Sequence, residues 1–263
     1  MDLTGRPPAI VHWFQRWSPD GEFEAAPAMV AQATGALPML SWEPWQGLGP
    51  IVSGELDDYI RRFASDVAAH AEPVLLRFAH EMNLRGIHWH DQPGIYRAAW
   101  ERVRAAFGEA GAGNARFVWS PYVADSNAVA FEPYYPGDAQ VDWLALDGYN
   151  WGRRRRWSRW PSFETIFAGS LASLTRLAPD KPIMLAEIGC TERGGDKARW
   201  MRDALLEAIP GRYPAIRAVV WFNKDRPDHA DWRIDSSPAT LAAWRQTAAD
   251  PRYSLTGSEL LDL

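Results

Sequence analysis

Seven short apolar runs, set between longer amphipathic stretches, constrain this chain more than any other feature. The runs are Ala9–Phe14, Leu37–Ser41, Pro73–Ala79, Ala115–Ser120, Val141–Asp147, Pro182–Glu187 and Ile216–Phe222. They are nearly continuous in apolar residues instead of alternating with polar ones, as strands buried on both faces are. Amphipathic segments lie between them at Leu56–His70, Ile95–Ala110, Phe163–Leu177 and Lys197–Ile209. Regular alternation of strand and helix predicts a parallel sheet. Over 263 residues, a single α/β domain of the (β/α)8 TIM-type barrel class, spanning 1–263, fits best.

A closed barrel of this class has eight strands, and the sequence yields seven. A faint repeat places the gap. "LTGRPPAIVHW" (Leu3–Trp13) and "ATGALPMLSW" (Ala33–Trp42) share Thr-Gly, then Pro, an apolar run and Trp. Thr-Gly suits the end of a helix, with glycine as its left-handed cap and proline ahead of the next strand. The chain therefore reads as opening on the tail of a helix, and the βα unit not found is the first. Such a gap would leave strand edges that need cover.

The predicted strands end in functional residues. The first ends in His12, Trp13 and Gln15, and the second in Trp42, Glu43 and Trp45. The third ends in Arg77, His80, Glu81 and Asn83, the fourth in Trp119, and the fifth in Asp147, Tyr149 and Asn150. Glu187 closes the sixth, and Trp221 and Asn223 the seventh. In parallel barrels the C-terminal strand ends form the active-site face, so one pocket is expected to gather these groups. The chain has 15 tryptophans. Indole packs in cores, but it is also a flat platform for sugar rings, with an apolar face and one N–H donor. Trp42, Trp45, Trp89, Trp119, Trp151 and Trp221, all at or beyond strand ends, are expected to line a cleft. Trp100, Trp200 and Trp244, on helices, are expected to pack against the sheet.

Two carboxylates stand out, Glu81 after "RFAH" and Glu187 in "PIMLAEIG". A lone glutamate at such a place is more often a loop residue or an ion-pair partner, here of Arg77. Two of them closing buried strands in a Trp-rich chain fit glycosidase chemistry. One would protonate the departing glycosidic oxygen while the other attacks the anomeric carbon or activates water.

"RFAHEMN" resembles the His-Glu-Met-Asn motif of glycoside hydrolase family 26, the β-mannanase family of the retaining (β/α)8 clan. "VDWLALDGYNWG", "KPIMLAEIG" and "AVVWFN" resemble that family's later strand motifs in order, from about Pro8 to Arg245. The family's acid/base closes strand four, which is strand three here, in keeping with an absent first unit. The resemblance implies that Glu81 is the general acid/base and Glu187 the nucleophile of a retaining endo-β-glycanase. Their carboxyls would lie about 5–5.5 Å apart. β-1,4-Mannan is the expected substrate. A β-1,3-1,4-glucanase or β-1,3-xylanase of the same family, and a catalytically silent carbohydrate-binding barrel, are the alternatives. His12, Trp42, Glu43, Trp45, Arg77, His80, Asn83, Trp89, Trp119, Tyr149, Trp151 and Trp221 are the expected substrate contacts. Arg77 or the Tyr149 hydroxyl would donate to Glu187, and Trp221 would underlie the reacting sugar. After His-Glu-Met-Asn, where the family carries an aromatic-rich stretch, this chain has "LRGIHWH", and Trp89 would take that place.

Other signals point elsewhere and are weaker. His80-Glu81 lacks the second histidine of a zinc-protease HExxH motif, because Leu84 stands there. His88 and His90 have no evident third ligand, so neither a metal nor a cofactor is expected. "RRRRWSRW" (Arg153–Trp160) mixes basic and aromatic residues as nucleic-acid binders do. On a chain of net charge -5 it reads as a rim loop facing a glycan. Asp225, Asp228 and Asp231 read as a solvated loop. The one cysteine, Cys190, excludes an internal disulfide framework and reads as a small buried thiol. No run of membrane-spanning length and no signal peptide is legible. A glycanase of this type is nonetheless expected outside the cell, acting on a polysaccharide, with no nucleic-acid or membrane partner and an open oligomeric state.

Overall fold

The computed structural model describes residues 3–153 and 159–262. The four residues Arg154, Arg155, Arg156 and Trp157 of the basic-aromatic run, together with Ser158, lie outside them. The chain carries seven parallel strands in chain order, β1 (Ile10–Arg16), β2 (Leu37–Glu43), β3 (Val74–Phe78), β4 (Ala115–Trp119), β5 (Trp143–Asn150), β6 (Ile183–Cys190) and β7 (Ile216–Trp221). Its contacts group into two compact units, Ala9–Ala145 and the remainder, with the boundary inside β5.

In the first unit β1 pairs with β2, β2 with β3, β3 with β4 and β4 with β5, every pair parallel. Helices α1 (Ala25–Ala33), α2 (Gly49–Ser53), α3 (Asp57–His70) and α4 (Pro93–Glu109) connect them. Leu37, Met39, Leu40 and all of β3 are buried, as the continuous apolar runs require. α3 turns Tyr59, Ile60, Phe63, Ala64 and Val67 inward at helical spacing, and α4 turns Tyr96, Ala99, Trp100, Val103 and Phe107. The repeated Thr-Gly takes the same backbone twice, for Gly5 has φ 80° and Gly35 φ 77°, a left-handed region open to glycine at little cost. The proline of the second copy, Pro38, falls inside β2 instead of ahead of it.

In the second unit β6 pairs in parallel with β7, with register shifts on either side of Met184 and Leu185. α5 (Phe163–Leu177) starts at Ser162, whose Oγ accepts from the Thr165 N–H at 3.2 Å. α6 (Lys197–Arg202) starts at Asp196, which accepts from the Arg199 N–H at 2.8 Å. The helix widens over Asp203–Ala208 and resumes as α7 (Ile209–Arg212). Pro210, which has no N–H for the turn before it, follows the widened stretch. α8 (Pro238–Ala248) is capped by Ser237. A short hairpin, β8 (Asp225–Arg226) with β9 (Ala230–Asp231), lies between β7 and α8. The N-terminal residues are pinned to the end of α8, since Arg6 donates to the carbonyls of Ala248 and Ser254 and Arg245 donates to that of Leu3.

Candidate active site

Register decides which strand-end residues share a face. In the first unit Phe14 pairs with Ser41 and Ser41 with Arg77, while Arg16 pairs with Glu43. Side chains alternate along a strand, so His12, Phe14, Arg16, Ser41, Glu43 and Arg77 stand on one face. Arg77 is wholly buried there. Its Nη1 donates to Ser41 Oγ at 2.9 Å, and the same hydroxyl lies 2.7 Å from His12 Nε2. Burial first, and the Arg77 guanidinium second, hold the pKa of His12 well below that of an ordinary imidazole. His80 is driven down in the same way, by burial, then Arg77, then His12. Two neutral imidazoles thus stand beside one buried guanidinium.

Just past β3 the backbone enters the left-handed region at Ala79 (φ 44°) and Glu81 (φ 55°). Non-glycine residues held there cost about 1–3 kcal/mol each and persist only where the surroundings fix them. The fixing bonds are present. The Glu81 N–H donates to the Ser120 carbonyl at 2.7 Å, and the Trp89 indole to the His80 carbonyl at 2.5 Å. Asn83 donates to the Tyr122 and Val129 carbonyls and accepts from the Tyr122 N–H. Glu81 itself is half-buried.

Beyond β2 lies an exposed aromatic group. Trp45 is 36% exposed, its N–H donates to Glu43 Oε2 at 2.9 Å, and the Arg16 guanidinium sits 3.8 Å from its ring centroid. His88 packs on Trp45 at 4.3 Å, whereas His90 turns its Nδ1 to the Met82 carbonyl. The two histidines therefore face different groups. Trp89, although buried, touches both Trp45 and His80.

In the second unit the Tyr149 hydroxyl donates to Glu187 Oε2, and Glu187 is 5% exposed inside β6, which runs on to Cys190 instead of closing at the glutamate. The Tyr149 ring packs on Trp232 at 4.8 Å, and half-buried Trp151 meets Trp232 edge-on at 4.9 Å. Gly189 leaves room for this, because a Cβ there would stand 3.0 Å from both the Trp232 and Tyr149 rings. Gly152, at φ 57°, lies so close to the Arg193 carbonyl that a side chain would collide with it. Cys190 is buried, and burial raises its thiol pKa well above the ordinary value. Asp231 is held by Arg233 at 2.7 Å in a pair that stays open to solvent.

Four expected sugar contacts take other places. Trp42 belongs to the opposite face of β2. It stacks on Phe63 at 4.1 Å and gives its N–H to the Tyr59 hydroxyl, in the layer between sheet and helices. Trp119 shares the parity of Phe117 and packs on Phe131 and Tyr135, fully buried. Asn83 is fully buried and braces residues 122–129. Trp221 sits beside Trp200 of α6 and Trp244 of α8, and its indole N–H donates to the Trp232 carbonyl. The three tryptophans follow from the two-residue alternation of a strand, which sends every second side chain toward the helices, whereas Asn83 lies past the end of β3 and is drawn to loop carbonyls. His12, Glu43, Trp45, Arg77, His80 and Trp89 do gather in the first unit, as Tyr149, Trp151 and Glu187 do in the second. Sequence reasoning missed Ser41, Arg16 and Trp232. Arg16 carries the parity of His12 within one strand, a legible signal, whereas Ser41 joins that face only through register with Phe14 and Arg77. Trp232, in a loop of mixed polarity, offers none.

The model of glycosyl hydrolase family 26 matches residues 49–191, more than half of the chain. Endoglucanase H of Acetivibrio thermocellus is 35% identical over 256 residues, which cover 94% of this chain and 28% of that protein. The chain thus spans under a third of the curated relative's length. A GH26 beta-mannanase from Bacteroides ovatus superposes with a TM-score of 0.72 at 19% identity, covering 95% of this chain and 81% of that one. The catalytic domain of the GH26 endo-beta-1,4-mannanase from Bacillus sp. JAMB-750 gives 0.70 at 21%, covering 98% and 80%. At these identities the structural likeness is one of fold, the (β/α)8 barrel class, and the described residues carry seven parallel strands. By the match of the family model to its sequence, the chain belongs to glycosyl hydrolase family 26.

Proposed function

We propose that the chain is the catalytic barrel of a retaining endo-β-glycanase, with Glu187 as nucleophile, Glu81 as general acid/base and β-1,4-mannan as substrate. The observation that carries this reading is the Tyr149 hydroxyl donating to Glu187 Oε2. That bond stabilises the ionised carboxylate and fixes its orientation, as a nucleophile requires. Glu81, on its strained backbone, would protonate the departing glycosidic oxygen as the Glu187–sugar bond forms. It would then take a proton from the water that displaces Glu187. Trp45, with Glu43 and Arg16 beside it, suits an exposed sugar contact of the first unit, as Trp151 does in the second.

A second reading has its own support. The 35% identical relative is named an endoglucanase, which favours a β-glucan over a mannan. Reducing-sugar release from galactomannan, glucomannan, barley β-glucan and β-1,3-xylan separates these substrates. Proton NMR of the first product distinguishes retention from inversion. Release from mannan with the β-anomer formed first is the expected result. Release from barley glucan alone moves the substrate to the second reading, an α-anomer rejects double displacement, and no release from any substrate leaves a carbohydrate-binding barrel.

A further inference from the structure

Lys197, at the first position of α6, is wholly buried, an unusual place for an ammonium group. Its Nζ lies 6.0 Å from the Trp221 ring and finds its hydrogen-bond acceptors in a single loop. It lies 2.7 Å from the Arg233 carbonyl, 2.9 Å from Ser236 Oγ and 3.5 Å from the Asp231 carbonyl. Ser236 Oγ in turn lies 2.8 Å from Glu192 Oε1, which also accepts from the Thr240 hydroxyl. A buried ammonium costs several kcal/mol in desolvation. An apolar side chain would serve simple packing at lower cost, so the arrangement calls for a reason beyond filling space.

That reason lies in what the loop carries. Between the Asp231 and Arg233 carbonyls stands Trp232, which is 2% exposed, with its N–H on the Lys224 carbonyl and its own carbonyl on the Trp221 indole. Its ring backs Tyr149 at 4.8 Å, and the Tyr149 hydroxyl donates to Glu187. From these contacts we infer that Lys197 is a positioning residue for Glu187. It clamps the 231–236 loop so that Trp232 holds the Tyr149 ring, and with it the carboxylate, in one orientation. The inference rests on the proposed role of Glu187 as nucleophile.

The test is a double-mutant cycle on the polysaccharide that the wild type hydrolyses. Lys197→Met is expected to lower kcat by about tenfold or more and to leave KM within about twofold, since orientation at the reacting centre is lost while remote binding remains. In a Tyr149→Phe background the same substitution is expected to change kcat by less than about twofold, because the link it acts through is already cut. A folded Lys197→Met protein with wild-type kcat overturns the inference, as does an equal effect in both backgrounds. If Lys197→Met does not fold, Ser236→Ala removes one clamp bond without stranding a buried charge, and its cycle decides by the same criteria. Crystal structures of the variants read the coupling without turnover. A displaced Trp232 with the Tyr149 hydroxyl off Glu187 supports it, and an unmoved Tyr149 overturns it. Wild-type activity in Glu187→Ala would instead refute the nucleophile assignment, a failure distinct from that of the clamp.

Discussion

At the scale of single residues, the two glutamates are expected to fail differently. Glu187→Ala is expected to abolish turnover of every substrate, because no covalent intermediate can form. Glu81→Ala is expected to retain the first step on aryl glycosides with good leaving groups, which need little protonation, and azide should then accelerate breakdown of the intermediate. The readouts are steady-state rates and the anomeric form of the azide product. Partial activity and azide rescue in Glu187→Ala would reverse the assignment. Tyr149→Phe keeps the ring on Trp232 and deletes only the hydroxyl that reaches Glu187. It is expected to lower kcat by about 10- to 100-fold with KM little changed, the cost of one charge-assisted hydrogen bond of about 1.5–3 kcal/mol. An unchanged kcat would mean that the bond does not serve catalysis.

At the scale of elements, tryptophans on opposite faces of one strand end make opposite predictions. Trp42 fills the layer between β2 and α3, stacked on Phe63 and bonded to Tyr59. Trp42→Ala is therefore expected to cost about 3–5 kcal/mol in denaturant unfolding. Trp45, exposed beyond the same strand and partnered by Arg16 and Glu43, is expected to tolerate alanine within about 1 kcal/mol while KM for polysaccharide rises. A stable Trp42→Ala protein with weakened substrate binding would return Trp42 to the sugar and overturn the face assignment. The strand runs themselves were legible to within a few residues, because burial on both faces leaves a continuous apolar record.

At the scale of the whole molecule, the buried imidazoles link stability to pH. Burial holds His12 and His80 neutral, with pKa values well below the ordinary imidazole value of about 6.5. Below pH 6.5 the unfolded chain binds protons at these two sites that the folded chain refuses, so unfolding becomes easier. The stabilisation is complete above the unfolded pKa and is lost as pH falls toward the lowered folded values. For each histidine the slope approaches about 1.4 kcal/mol per pH unit. Urea unfolding between pH 7.5 and 5.5 is expected to follow this, and His80→Gln is expected to flatten it. A wild-type midpoint unchanged down to pH 5.5 would show that the imidazoles take up protons freely. Among the described residues no helix is long and apolar enough to cross a membrane.

The sequence by itself determined the order of the seven parallel strands and the four longer helical stretches between them, while the bounds of α1, α2 and α8 and the β8–β9 hairpin went unread. It also offered the two carboxylates, Glu81 and Glu187, as candidates, each closing a predicted strand. These are local properties, carried by runs, periodicity and caps within a few residues of one another. Only the tertiary structure decided which way each strand end points. Trp42 and Trp119 differ from Ser41 and Arg77 in parity, and parity gains a meaning only when register joins Ser41 to Arg77 and a helix layer covers the other face. It also decided that Asn83 braces a loop some 40 residues away, and that Lys197 reaches Arg233 and Ser236. Buried polar groups take their partners from whatever the fold brings within hydrogen-bonding reach, and sequence separation carries no record of that choice.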